Sequence, residues 1–209
     1  MPRARRPWPI VAVFTGLLVS SGSANKLDAV PATTVEVLLT VAPTLPAPAR
    51  HVLIDEAAAI WARENVAIEW LSPSNVLPPA PNRLRVLVVP RAQPDVDEAS
   101  VLTVGRLVRP ERGHAVAFAS MDNAARVLGM APRRFALLSG DEPRLGLVLG
   151  RAVAHEIGHY LLDTATHANV GLMRAVFLPR EFVDFGSEAF LLDPDGAASL
   201  KARLYSMNR

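Results

Sequence analysis

The chain has 209 residues, half of them hydrophobic, with five histidines, no cysteine and a formal net charge of +2. The missing cysteine excludes disulfides. The basic excess comes from the first residues, and no basic stripe with interleaved aromatics follows, which argues against a nucleic-acid-binding role.

Arg3, Arg5 and Arg6 precede an apolar run at residues 10–19, and Gly22, Ser23 and Ala24 then offer small side chains. This pattern reads as a secretory signal peptide over residues 1–24, with an uncleaved membrane anchor as the alternative. Ten apolar residues are few for crossing a bilayer. Removing the segment takes away three arginines and no acids, so the net charge falls from +2 to −1. Residues 25–209 then suffice for a single domain with a substantial core.

Residues 33–41 are β-branched and partly alternating, which predicts a strand. Pro43, Pro46 and Pro48 break the chain before an alanine-rich helix over residues 49–64, with His51 on its surface. Residues 66–71 alternate as a second strand, and the proline- and serine-rich residues 72–82 read as a loop. Residues 84–89 are apolar enough for a central strand. Residues 91–113 carry mixed charge, including Asp95, Asp97 and Glu98, and read as a solvated loop rather than a calcium site. Residues 113–119 predict a fourth strand. A short helix is expected within 120–138, and residues 194–206 form a last helix opened by Asp193-Pro194.

Between them, Asp141-Glu142-Pro143 predicts a helix start with a capping acid. The segment to Leu162 is apolar nearly all round, so the helix is buried. Gly146, Gly150, Ala154 and Gly158 recur every fourth residue and would admit a neighbouring element at close range. On the same helix, His155 and His159 are four apart and share a face, so two neutral imidazoles can grip one cation. Glu156 is turned toward a water on that cation, giving the H-E-x-x-H arrangement of two ligands and one general base.

A catalytic zinc takes a third protein ligand and keeps one position open. Asp163 lies two helical turns, roughly 12 Å, from His155, too far to share the ion. His167 can reach it if the helix ends near Leu162 and the chain folds back, with Asp163 adopting the left-handed conformation. Glu181 and Glu188 are later acidic alternatives for the third ligand.

These residues resemble the zincin metalloproteases, and within them the metzincins, a group that includes the matrix metalloproteases and carries H-E-x-x-H-x-x-G-x-x-H followed by a methionine turn. His155, Glu156 and His159 match, and Gly171-Leu172-Met173 looks like the methionine turn. Leu162 replaces the family's glycine, and the third histidine comes two residues late, at His167. The resemblance implies an α+β fold: a mixed twisted sheet, an active-site helix, a methionine turn and a C-terminal helix. It also implies that the strand before the active-site helix, near Ala115–Ala119, is the sheet edge that aligns a peptide, with His114 near the cleft. The thiolate latency device of matrix metalloproteases is excluded, since there is no cysteine.

The expected function is an exported zinc-dependent endopeptidase, periplasmic or extracellular, acting on peptide or protein substrates. Its metal would be Zn2+ on His155, His159 and His167, with Glu156 as the catalytic base. No nucleic-acid partner and no stable membrane insertion after signal cleavage are expected. A zinc-binding but non-catalytic envelope protein is the alternative, and a hydrolase of non-peptide amides is a third reading.

Overall fold

Val35, Val37 and Leu39 alternate with more exposed neighbours along Thr33–Val41, and this segment forms strand β1 with its apolar face in the core. The computed structural model describes residues 33–73, 83–91, 103–110, 114–130, 140–184, 186 and 188–207. The signal-peptide assignment at residues 1–24, most of the loop at 72–82, and Asp95, Asp97 and Glu98 lie outside the described residues. From Pro31 onward the chain forms one compact unit.

Helix α1 (Ala47–Ala62) connects β1 to β2 (Val66–Leu71), and the two strands pair in parallel. Pro48 lies in the first turn of α1, where its missing N–H costs nothing, so the helix begins two residues before the expected start. Strand β3 (Arg83–Val89) pairs in parallel with β1 and with β5 (Val116–Ser120). Strand β4 (Gly105–Val108) adds to β5 antiparallel, giving a mixed five-stranded sheet of order β2-β1-β3-β5-β4. The apolar β3 is central, as its composition implies.

The edge next to the ligand-bearing helix is a correction. Residues 116–120 are internal, with β3 on one side and β4 on the other, so the Ala115–Ala119 segment is not the edge. The edge is Gly105–Val108, inside the stretch read from sequence as a solvated loop. Four residues between charged and broken flanks are too short for a periodic signal, and the pairing with β5 is what makes them a strand.

Helix α2 (Met121–Val127) follows β5, with the Ser120 hydroxyl accepting from Asn123 N. Helix α3 (Glu142–Leu162) runs for 21 residues through the core, and fifteen of them are buried. Asp141 does not cap it, which is a second correction. Its carboxylate faces Arg144 at 3.4 Å, while Glu142 Oε2 accepts from Gly140 N at 2.7 Å.

The small-residue stripe of α3 lies mainly on α1. A Cβ at Gly150 would stand 2.9 Å from Leu53 O, and one at Gly146 would overlap Ala49 O, so the backbones touch where side chains normally separate helices. One turn on, the buried Trp61 donates Nε1–H to Ala154 O at 3.1 Å. Helices α4 (Pro179–Val183) and α5 (Pro194–Met207), with a 3₁₀ turn at Glu188–Phe190 between them, pack on α3. Among the described residues no helix is long and apolar enough to cross a membrane.

Candidate metal centre

The helix spacing brings His155 and His159 together, with ring centroids 4.6 Å apart. At Asp163 the backbone turns left-handed (φ 53°, ψ 41°) and ends α3 after Leu162. The family's glycine position is therefore still helical, and the turn is made one residue later by an aspartate, which tolerates that conformation better than most side chains. The chain folds back and sets the His167 ring 4.8 Å from that of His159 and 5.4 Å from that of His155. One ligand atom from each histidine lies within 4.8 Å of the others.

Backbone carbonyls fix the tautomers. His155 Nδ1 donates to Leu172 O at 2.6 Å, and His159 Nδ1 donates to Thr164 O at 2.9 Å. A proton held on Nδ1 leaves the Nε2 lone pair for a metal, the usual arrangement of a ligating imidazole. His159 Nε2 and His167 Nε2 are 3.2 Å apart. Two nitrogens about 2.05 Å from one tetrahedral zinc would be separated by about 3.3 Å, so the donor chemistry of the three histidines and the spacing of this pair fit such an ion. Burial pushes the His155 imidazole down to about 4, with the hydrogen bond to Leu172 opposing the shift. Burial likewise lowers His159. Both rings therefore stay neutral, the form that binds a metal.

The methionine turn is built into these contacts. Ala168 N donates to Met173 O at 2.8 Å, closing the loop behind His167, and Leu172 N donates to Leu191 O at 2.6 Å. Met173 is buried with its sulfur against Gly158, where a Cβ would overlap Sδ. The turn thus supports the histidine-bearing helix from below while its Leu172 carbonyl orients the His155 ring.

Glu156 points elsewhere on α3, toward the sheet edge. It is 4 % exposed and takes a hydrogen bond from the Leu107 backbone of β4. Its carboxylate reaches that strand because residue 105 is glycine: a Cβ there would lie 2.6 Å from Glu156 Oε1. Burial raises Glu156 to about 8, and the Leu107 hydrogen bond opposes it. The three histidines, Glu156 and the β4 edge line one cleft of about 890 Å³.

The other expected candidates fall outside the ligand group. Glu181 accepts from Arg174 Nη2 at 2.7 Å and from Leu178 N at 2.6 Å, and these bonds hold its carboxyl below the usual range. Glu188 is exposed in the 3₁₀ turn, and His51 is exposed on α1. His114 precedes β5 and does not line the cleft. Asp163, set aside as a ligand, pairs with Arg109 and with Arg203 Nη1 at 3.0 Å. Arg109 Nη2 also donates to His159 O, so one guanidinium ties the end of β4 to the ligand turn. Arg109 and Gly105 escaped the sequence reading. Their strand is too short, and its sequence too irregular, to carry a periodic signal of its own.

The fold and site together define a mixed α/β chain of the zincin-like metallopeptidase fold with a three-histidine group able to hold a metal. No family model and no curated protein matches the sequence. Among solved structures the fold is similar to the crystal structure of archaemetzincin from Methanopyrus kandleri, with a TM-score of 0.52 and 13 % sequence identity. That similarity covers 86 % of this chain and 99 % of the archaemetzincin chain.

Proposed function

We propose that the protein is an exported zinc-dependent endopeptidase. One observation carries the reading: three imidazoles with outward Nε2 atoms converge in a cleft that also holds a buried carboxyl, Glu156, against the edge of the sheet. The resemblance of the fold to archaemetzincin supports it.

His155, His159 and His167 would hold the zinc, which when bound supplies Lewis-acid polarisation of the scissile carbonyl and acidifies a water. The substrate main chain pairs along the outer edge of Gly105–Val108, as a strand added to the sheet. Glu156 takes the proton of the attacking water and hands it to the leaving amine. A carboxyl raised to about 8 by burial holds a proton by itself, and a divalent cation beside it draws that value down and frees the base. The walls of the cleft are β4 on one side and the segment after Met173 on the other.

The test is Glu156→Gln in residues 25–209, assayed for zinc content and for cleavage of an unfolded protein. Zinc stays at one per chain while cleavage falls by about 10² or more. Undiminished cleavage would remove Glu156 from the mechanism. Zinc bound without any cleavage by the parent chain would favour the non-catalytic, peptide-binding alternative. Export to the periplasm or the medium rests on the N-terminal basic and apolar pattern. N-terminal sequencing of the exported chain, starting at or near residue 25, tests it.

A further inference from the structure

Arg151 stands one turn before His155 on α3, so it shares a face with the metal ligands. It is completely buried, yet it lines the same cleft. Its Nε donates to Glu56 Oε1 at 2.7 Å and its Nη1 to Glu181 O at 2.7 Å. Nη2 has no partner among the described residues. A guanidinium offers five donors, and a buried donor left unmet costs about 1–3 kcal/mol.

An aromatic wall joins this arginine to the metal centre. The Arg151 guanidinium lies 4.6 Å over the Phe190 ring, Phe190 stacks on Phe177 at 4.7 Å, and Phe177 meets the His155 ring edge-on at 6.3 Å. Phe182 leans against both phenylalanines, closing the corner with apolar surface. In such surroundings a charge-assisted hydrogen bond gains strength because water does not compete. Four arginines border the cleft, and three of them are already paired: Arg109 with Asp163, Arg151 with Glu56 and Arg174 with Glu181.

We propose that this corner receives a carboxylate-bearing side chain of the substrate, next to the scissile bond, with the Nη2 donors of Arg151 as its partner. The inference rests on the proteolytic reading and names the substrate class for it. A plain structural strut would account for the bonds to Glu56 and Glu181, but not for a cleft-lining guanidinium that keeps two N–H groups unmet. Arginine suits the task because two of its nitrogens hold the fold while the third, buried among them, keeps its donors unspent.

The test uses N-acetyl amino-acid hydroxamates, whose hydroxamate anchors on the metal while the side chain probes the corner. Zinc-loaded residues 25–209 are titrated with the glutamate, glutamine and leucine compounds, and so is Arg151→Met. The glutamate compound binds about tenfold tighter than its glutamine isostere, a difference of about 1.4 kcal/mol. Arg151→Met brings the two within about twofold of each other and leaves the leucine compound unchanged. Equal binding of glutamate and glutamine by the parent chain overturns the proposal, even if the variant fails to fold. So does a glutamate preference that survives Arg151→Met. If all three compounds bind alike, the zinc reading stands and this assignment alone falls. If the chain holds no zinc and binds none of them, both fall together.

Discussion

The two halves of α3 are held in place by different forces. Up to Ala154 the helix is fixed chiefly by shape: Gly146 and Gly150 bring it onto the α1 backbone, and Trp61 and Arg151 add hydrogen bonds at Ala154 O, Glu56 and Glu181 O. Beyond Ala154 it is fixed by directed polar bonds from later chain segments. Leu172 O holds His155, Thr164 O holds His159, and Arg109 links the helix end to β4. Packing makes the first half a rigid base. Carbonyls then aim individual rings on the second half, with a directional precision that apolar contact does not give.

The sharpest way to break that comparison is one deletion in each half. Trp61→Ala empties a fully buried site and costs about 3–5 kcal/mol in urea unfolding of the metal-free chain. His155→Ala removes a ring whose charged form is disfavoured by burial, so metal-free stability at pH 5 does not fall, while zinc content drops to near zero. A loss at His155 as large as that at Trp61 would mean the two halves are not energetically distinct.

A smaller effect follows from the buried ionisable pair. Glu156 has a folded value of about 8, above its unfolded 4.5, so its contribution declines as pH rises between them. His155 at about 4, below its unfolded 6.5, contributes increasing stability over that interval and nothing more above 6.5. The two slopes cancel from about pH 4.5 to 6.5 and leave Glu156 unopposed above it. Metal-free protein therefore loses about 2 kcal/mol between pH 6.5 and 8. Glu156→Gln flattens the profile in that window, and a parent profile already flat there would contradict the burial of the carboxyl.

The smallest effect is expected at the rim. Arg109→Met breaks a half-exposed link to Asp163, worth about 1 kcal/mol or less. Zinc affinity should weaken by no more than roughly fivefold. A larger loss, read by competition with a chelator, would place Arg109 among the main supports of the ligand turn.

Much of this was legible because local spacing carries it. His155, Glu156 and His159 take their relative directions from helical geometry alone, and Asp163 is among the few residue types that end a helix in the left-handed region. The apolar run at Leu84–Val89 announced a central strand, with Leu84, Val86 and Val88 buried on one face and only Arg85 exposed on the other. The edge at Gly105–Val108 was not legible. Nothing in four residues states that they will pair with Val116–Ser120, and the expected edge moved inward as a result. Asp141 likewise had the identity of a cap, but Arg144 drew its side chain away.

The sequence by itself determined that His155 and His159 share a face with Glu156 beside them, the buried character of the helix, and the sheet's mixed order of strands and helices. These follow from periodicities of two to four residues, over which backbone geometry is nearly fixed. Tertiary structure alone decided that His167 joins the pair, that the Leu172 and Thr164 carbonyls aim the rings, and that Arg151 keeps a spare donor beside the three histidines. Those contacts join residues as far as 95 positions apart, such as Arg151 and Glu56, and their geometry depends on how α1, α3 and the sheet edge pack. Backbone spacing fixes directions along one element, and only packing fixes distances between elements.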